Sequence, residues 1–204
     1  MQDFSLEGIG KINGGEFRTL NVEGVGSCSS GVKAENIYIE GVFNCSGEIE
    51  VEHLHCEGVA DFTANIRAKR INVQGVVSVR RDAKIEAEEI ICEGVIKAGG
   101  EISADFINAE GFIQAKEIFG DRIRINSHYH GKRIVNFFKR EKSDIKLIEA
   151  TTIELSDVTV STVNGRDITI GPYCKIDHLD CNGTLFIDRT ATVGNITGNY
   201  TMKN

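Results

Sequence analysis

Apolar and polar residues alternate along this chain in short bursts, and the bursts recur. The segments LNVEGV at 20–25, IYIEGV at 37–42, LHCEGV at 54–59, INVQGV at 71–76, IICEGV at 90–95 and INAEGF at 107–112 share one pattern. Aligned on their glycines, with Gly8 as the first, the copies follow at intervals of 16, 17, 17, 17, 19 and 17 residues and tile residues 4 to about 127. Four before the glycine stand Phe4, Leu20, Ile37, Leu54, Ile71, Ile90 and Ile107; two before it stand Leu6, Val22, Ile39, Cys56, Val73, Cys92 and Ala109. The residues between them are mostly polar, among them Ser5, Asn21, Tyr38, His55, Asn72 and Asn108. A period of two means a strand with one buried face.

Directly after the glycine come Ile9, Val25, Val42, Val59, Val76, Val95 and Phe112, which break the alternation. The chain is expected to turn there, where glycine fits because it has no side chain to clash and tolerates φ > 0, with the following residue opening a new face. A second inward column stands four after the glycine: Ile12, Cys28, Cys45, Phe62, Val79, Ala98 and Ala115. A third patch follows as Val32 and Ala34, Ile49 and Val51, Ile66 and Ala68, Ala83 and Ile85, Ile102 and Ala104. Three short apolar faces per repeat of about 17 residues describe an all-β fold, a parallel β-helix whose coils bury their inner faces against one another. The period excludes helical repeats of about 33 to 47 residues.

The pattern resumes near the C-terminus, with Ile153/Leu155, Ile168/Ile170 and Leu185/Ile187 in one column pair, and Val160, Ile176, Val193 and Val163, Leu179, Ile196 in two others. The chain therefore divides into coils at 1–127, an irregular stretch at 128–147, and coils at 148–204 that continue the same rod. The irregular stretch is basic and aromatic, with Lys132, Arg133, Lys139 and Arg140 beside Phe137 and Phe138. It is expected to project as a loop or hairpin.

Composition agrees with many short strands and tight turns: 22 glycines in 204 residues, one proline and no tryptophan. The net charge of −7 argues against nucleic acid as a partner. No apolar run reaches the length of a membrane span, and MQDFSLEGIG has no signal-peptide pattern, so a cytoplasmic location is expected. In that setting the six cysteines are expected as free thiols, mostly in the core, although Cys28 and Cys45 in adjacent coils stand within disulfide reach.

Candidate chemistry lies outward. One before each glycine stand Glu7, Glu23, Glu40, Glu57, Glu93 and Glu110, with Gln74 as the exception. Stacked coils make this a ladder of like charge, read either as a solubilising face or as a ridge that docks a basic partner or loosely holds cations. Equivalent carboxylates provide no distinct acid and base, so catalysis is not expected from them. His53 with His55, and His128 with His130, are read as surface pairs without a third ligand column. GIGKINGG at 8–15 lacks the order of a phosphate-binding loop. No catalytic residue, metal or cofactor is expected. The basic stretch 132–142 is read as a solvated loop, a docking site for a protein, or a contact for anionic lipid.

A solenoid exposes apolar side chains and strand edges at its ends unless it is capped. Here the pattern starts at Phe4 and Leu6 and continues through Ile187 and Val193 to Ile196, with no capping helix, so end-to-end stacking of rods is expected. The rungs at 16–42, EFRTLNVEGVGSCSSGVKAENIYIEGV, and at 168–198 resemble the coils of bactofilins, polymer-forming bacterial cytoskeletal proteins. That resemblance implies a right-handed, roughly triangular β-helix that forms non-polar filaments without nucleotide. It also implies a scaffold that positions other proteins, often at the membrane or cell envelope, and so a site at its inner face. The rivals are a soluble binding module that uses the glutamate ridge or the basic loop, and an acyltransferase of the hexapeptide-repeat type.

Overall fold

The computed structural model describes residues 1–80, 82–127 and 144–203. The first coils contain β1 (Gln2–Leu6), β2 (Ile9–Ile12), β3 (Gly15–Val22), β4 (Val25–Cys28), β5 (Val32–Ile39), β6 (Val42–Cys45), β7 (Ile49–Cys56) and β8 (Val59–Phe62). The middle contains β9 (Ile66–Val73), β10 (Val76–Val79), β11 (Ile85–Cys92), β12 (Val95–Ala98), β13 (Glu101–Ala109), β14 (Phe112–Gln114) and β15 (Glu117–Asn126). The last coils contain β16 (Asp144–Ser156), β17 (Thr159–Ile170), β18 (Lys175–Ile187), β19 (Thr192–Thr197) and β20 (Thr201–Met202).

Each strand pairs in parallel with its equivalent one coil away, never with its neighbour in sequence until β15 meets β16. The odd-numbered strands β1 to β15, then β16 to β19 with β20 on β18, form a sheet of 13 strands. The even-numbered strands β2 to β14 form a second sheet of 7. This is the parallel β-solenoid that the periodicity implies.

The long strands cover two sides of each coil. In β5, Val32 and Ala34 point in, Glu35 and Asn36 mark a bend, and Ile37 and Ile39 point in again. The short strand β6 makes the third side, with Phe43 and Cys45 inward. From β16 onward one strand of 12 or 13 residues takes all three sides. The buried file Leu20, Ile37, Leu54, Ile71, Ile90, Ile107, Ile123, Ile153, Ile168, Leu185 runs unbroken through both blocks. Burying one such side chain stabilises the fold by about 1.5–3 kcal/mol.

The structure corrects three expectations. The residue directly after the corner glycine does not open the inner face: Ile9 is 89% exposed, Val25 43% and Val59 39%, while Val42, Val76 and Phe112 are half-buried and Val95 alone among these is buried. The inward residue is the next one, giving a column of Gly26, Phe43, Ala60, Val77, Ile96 and Ile113. The bulk of Phe43 fits because Gly26 lies beside it on one coil and Ala60 on the other, and its ring meets Phe62 edge-on at 6.1 Å. Second, the apolar pair that stacks on Ile66 and Ala68 is Ile85 and Ala87, not Ala83 and Ile85. The longer coil spends its extra residues in the tight turn in which the Ala83 N–H donates to the Arg80 carbonyl. Third, β16 starts at Asp144, so 144–147 belong to the rod and not to the irregular stretch. Ile123 therefore stacks on Ile153, thirty positions on.

Of the two reasons expected for the corner glycines, lack of a side chain holds and φ > 0 does not. None adopts φ > 0; that conformation falls to Gly14, Gly15 and Gly198. Close approach is what demands glycine. A methyl group on Gly58 would lie 2.0 Å from the Gly41 carbonyl oxygen and 2.4 Å from that of Glu40, and Gly24, Gly41, Gly75, Gly94 and Gly111 are crowded in the same way. Gly8 has nothing within 4 Å, because no described coil precedes it.

The pair Gly58→Ala and Gly8→Ala separates crowding from flexibility. Gly58→Ala is expected to cost about 3 kcal/mol, the upper end of overpacking, and Gly8→Ala at most about 0.5 kcal/mol. Thermal melts followed by circular dichroism measure both; equal effects would remove the close-approach account.

Candidate functional site

At each corner the backbone is fully engaged with the preceding coil. The N–H groups of Glu40 and Gly41 both donate to the Val22 carbonyl at 3.0 Å, and that of Val42 donates to Gly24 at 2.8 Å. The same triple contact recurs at Glu23, Glu57, Gln74 and Glu93. This pins the peptide and leaves the glutamate side chain facing solvent.

The expected ladder is thus present: Glu7, Glu23, Glu40, Glu57, Glu93 and Glu110 are all exposed along one corner. Glu57 accepts a hydrogen bond from His55 at 2.9 Å, and Glu110 lies 3.9 Å from Arg124. Among the described residues Glu7, Glu23, Glu40 and Glu93 form no ion pair.

Another outward column behaves in the opposite way. Glu16, Lys33, Glu50, Arg67 and Glu86 stack in register with alternating sign. Lys33 reaches Glu50 at 2.6 Å and Arg67 reaches Glu86 at 2.9 Å. Nearby, Lys69 bonds Glu52 at 2.7 Å, Lys84 bonds Glu101 at 2.9 Å, and Arg18 pairs with Asp3. The hydrogen bond from Lys69 holds the Glu52 carboxyl below its usual range, and that from Arg18 does the same for Asp3. These pairs are exposed and screened, so they contribute to register more than to stability. The rod has the means to neutralise a column and does not use them on the ridge.

Beside the ridge, separated from it only by glycines, runs the outward apolar column of Ile9, Val25, Val42 and Val59. Sequence reading missed it as a surface feature. The signal was available: counting back by twos from the inward Cys45 puts Phe43 inside and Val42 outside. Tyr38, 42% exposed, flanks the ridge on its other side and lies 6.1 Å from the His55 ring.

Other candidates separate. His53 and His55 face outward on β7, and no group of three or more histidine, cysteine, aspartate or glutamate side chains among the described residues is placed to hold a metal. Cys28 stacks directly on Cys45, and both sulfurs donate to the Ser30 carbonyl, at 3.1 and 3.6 Å. All six cysteines are free and buried. Burial pushes the thiols of Cys45, Cys56 and Cys92 up to about 12. An open groove of about 780 Å³ beside the Arg80–Ala83 turn is lined by charges of both signs, including Arg80, Lys97, Asp82 and Glu48.

Of the two edges expected to be open, β1 pairs with β3 alone and β2 with β4 alone among the described residues. Phe4 and Leu6 are only half-buried there, as are Ile187, Val193 and Ile196 in the last coils. Lys132, Arg133, Phe137, Phe138, Lys139 and Arg140, with His128 and His130, lie outside the described residues. Ser127, where the described chain breaks off, holds the register position of a corner glycine, two residues after Ile125 as Gly111 follows Ala109. No helix among the described residues is long and apolar enough to cross a membrane. Comparison with protein-family models, with curated proteins and with solved structures finds no match.

The buried thiols make a direct test. At pH 8 the native protein is expected to leave all six cysteines unalkylated by iodoacetamide within minutes, and guanidinium to release six adducts by mass spectrometry. Unfolded thiols ionise near 9.0 while Cys45, Cys56 and Cys92 hold their protons to about 12. The unfolded chain sheds protons first, so stability falls as pH rises through that window.

Proposed function

We propose that this protein is a non-enzymatic structural scaffold of the bactofilin kind, whose rods associate end to end into cytoskeleton-like filaments and position partner proteins on their sides. The observation that carries this reading is the pair of open edges. β1 and β2 leave one side of their backbone unpaired among the described residues, over the half-buried Phe4 and Leu6. The last coils offer Ile187, Val193 and Ile196 in the same half-buried state. Coils such as that of β5 and β6 pair with a coil on each side and cover their apolar files against both; a further coil from another rod would do the same for an edge. A contact between the two different ends of successive rods propagates along the axis without closing a ring.

The resemblance supports the same reading. The segments 16–42 and 168–198 that resemble bactofilin rungs are stacked coils of one solenoid. A cytoplasmic scaffold, located at the inner face of the membrane through its clients, follows from it. A binding module that acts as a single rod is the second reading, and the like-charged ridge, where Glu7, Glu23, Glu40 and Glu93 form no ion pair among the described residues, favours it.

Electron microscopy of the purified full chain separates the two. Filaments one rod wide are expected, and the double variant Phe4→Asp/Leu6→Asp is expected to give single rods while keeping the β circular dichroism of the parent. A parent that stays monomeric at high concentration by light scattering would overturn the stacking.

A further inference from the structure

The glutamate ridge and the valine column beside it form one surface, and we infer that this surface docks a basic amphipathic α-helix of a partner protein. The inference deepens the scaffold reading by naming the kind of client, but it concerns the side of the rod and not its ends.

Three observations converge. Glu23 and Glu40 repeat one sign in adjacent coils without an ion pair, while the column through Lys33, Glu50 and Arg67 alternates in sign. The rod therefore tolerates repulsion on one column that it avoids on another, and a cationic partner relieves it. Next to each glutamate, across a glycine with no side chain, Val25, Val42 and Val59 face outward. The two columns stand as the walls of a shallow trough floored by backbone, one wall charged and the other apolar. On the outer flank of the charged wall, the exposed Tyr38 presents an aromatic ring, a favourable neighbour for lysine or arginine.

The spacing selects the partner's conformation. Coils repeat at about 4.8 Å along the axis. An extended chain returns a side chain to the same face every ~6.6–6.8 Å and falls out of step by about 2 Å per coil. An α-helix returns one every turn, with a pitch of ~5.4 Å, and drifts by only about 0.6 Å per coil. A helix laid along the rod with lysines on one stripe and leucines on the adjacent stripe therefore meets Glu23, Glu40 and Glu57 with the first and Val25, Val42 and Val59 with the second. Four to five coils accommodate roughly 12 to 14 residues of helix at 1.5 Å each. The acidic wall repels an anionic membrane surface or nucleic acid, which leaves a protein segment as the occupant.

The test uses a fluorescein-labelled 14-residue helical peptide with adjacent lysine and leucine stripes, titrated with the full-length protein in 150 mM salt and followed by anisotropy. Binding is expected, with loss for a scrambled peptide of the same composition. The pairs Glu40→Gln/Glu57→Gln and Val42→Thr/Val59→Thr are each expected to weaken it about tenfold. Glu50→Gln/Glu86→Gln, which removes the same charge from the alternating column, is expected to change it less than twofold. Thermal melts confirm that all three variants remain folded. No binding by the parent, equal binding of the scrambled peptide, or equal loss in the Glu50/Glu86 pair overturns the inference. Filaments that fail to bind the peptide overturn this inference alone, and single rods that bind it overturn only the stacking.

Discussion

At the glycine corner the backbones of successive coils approach too closely to admit a Cβ, and the rest of the structure is arranged around that contact. At Gly41 the coil presents three successive N–H groups to the coil before it, from Glu40, Gly41 and Val42. That contact leaves no room for a Cβ. Because the corners are superposed to this tolerance, the sides between them superpose as well. Leu54 lies on Ile37 and under Ile71 without a shift of register, and every inward position becomes a file. Volume is then balanced along a file and not across a conventional core, as in the run Gly26, Phe43, Ala60.

Superposition has a second consequence, which reaches the surface. Outward side chains are forced into columns at the repeat of the backbone, so each residue's nearest like-placed neighbour is its equivalent one coil away. Charge is therefore decided column by column. Where Glu50 lies between Lys33 and Arg67, the column closes on itself in ion pairs. Where Glu40 lies between Glu23 and Glu57, like charges are neighbours, and Glu23 and Glu40 form no ion pair among the described residues. A fold that stacks like turns thus makes its surface linear and periodic.

Much of this was legible in the sequence because period two and period 17 are independent signals that agree. The files through Ile153, Ile168 and Leu185, and through Val160 and Ile176, stand as the spacing places them, across a segment that lies outside the described residues. The acidic ladder was legible for the same reason. The failures occurred where residue type carries no direction. Val59 and Ala60 are both apolar, and hydrophobicity alone does not say that Ala60 points in and Val59 out. The two-residue slip at Ile85 and Ala87 arose because a turn can absorb extra residues without changing composition. At the corner glycine the absence of a clashing side chain was legible, whereas the φ > 0 that was expected beside it is not adopted, because the need for glycine there comes from the backbone of the next coil and not from a local turn.

The same logic bears on the ends. In the interior, the penalty for a Cβ at the corner, the exposed carbonyls and the half-covered files are all resolved by one object, another coil. At Gly8 the space that a preceding coil fills elsewhere is open, and Phe4 and Leu6 are covered on one side only. A surface that covered these residues as a coil does would offer backbone groups to the edges of β1 and β2 and apolar side chains over Phe4 and Leu6. A globular partner offers these only by accident of shape, whereas the end of a second rod carries edges and half-covered files of the same kind. The constraint that builds the rod from its coils is met on both sides at β3 and β5 and on one side only at β1 and β2 among the described residues.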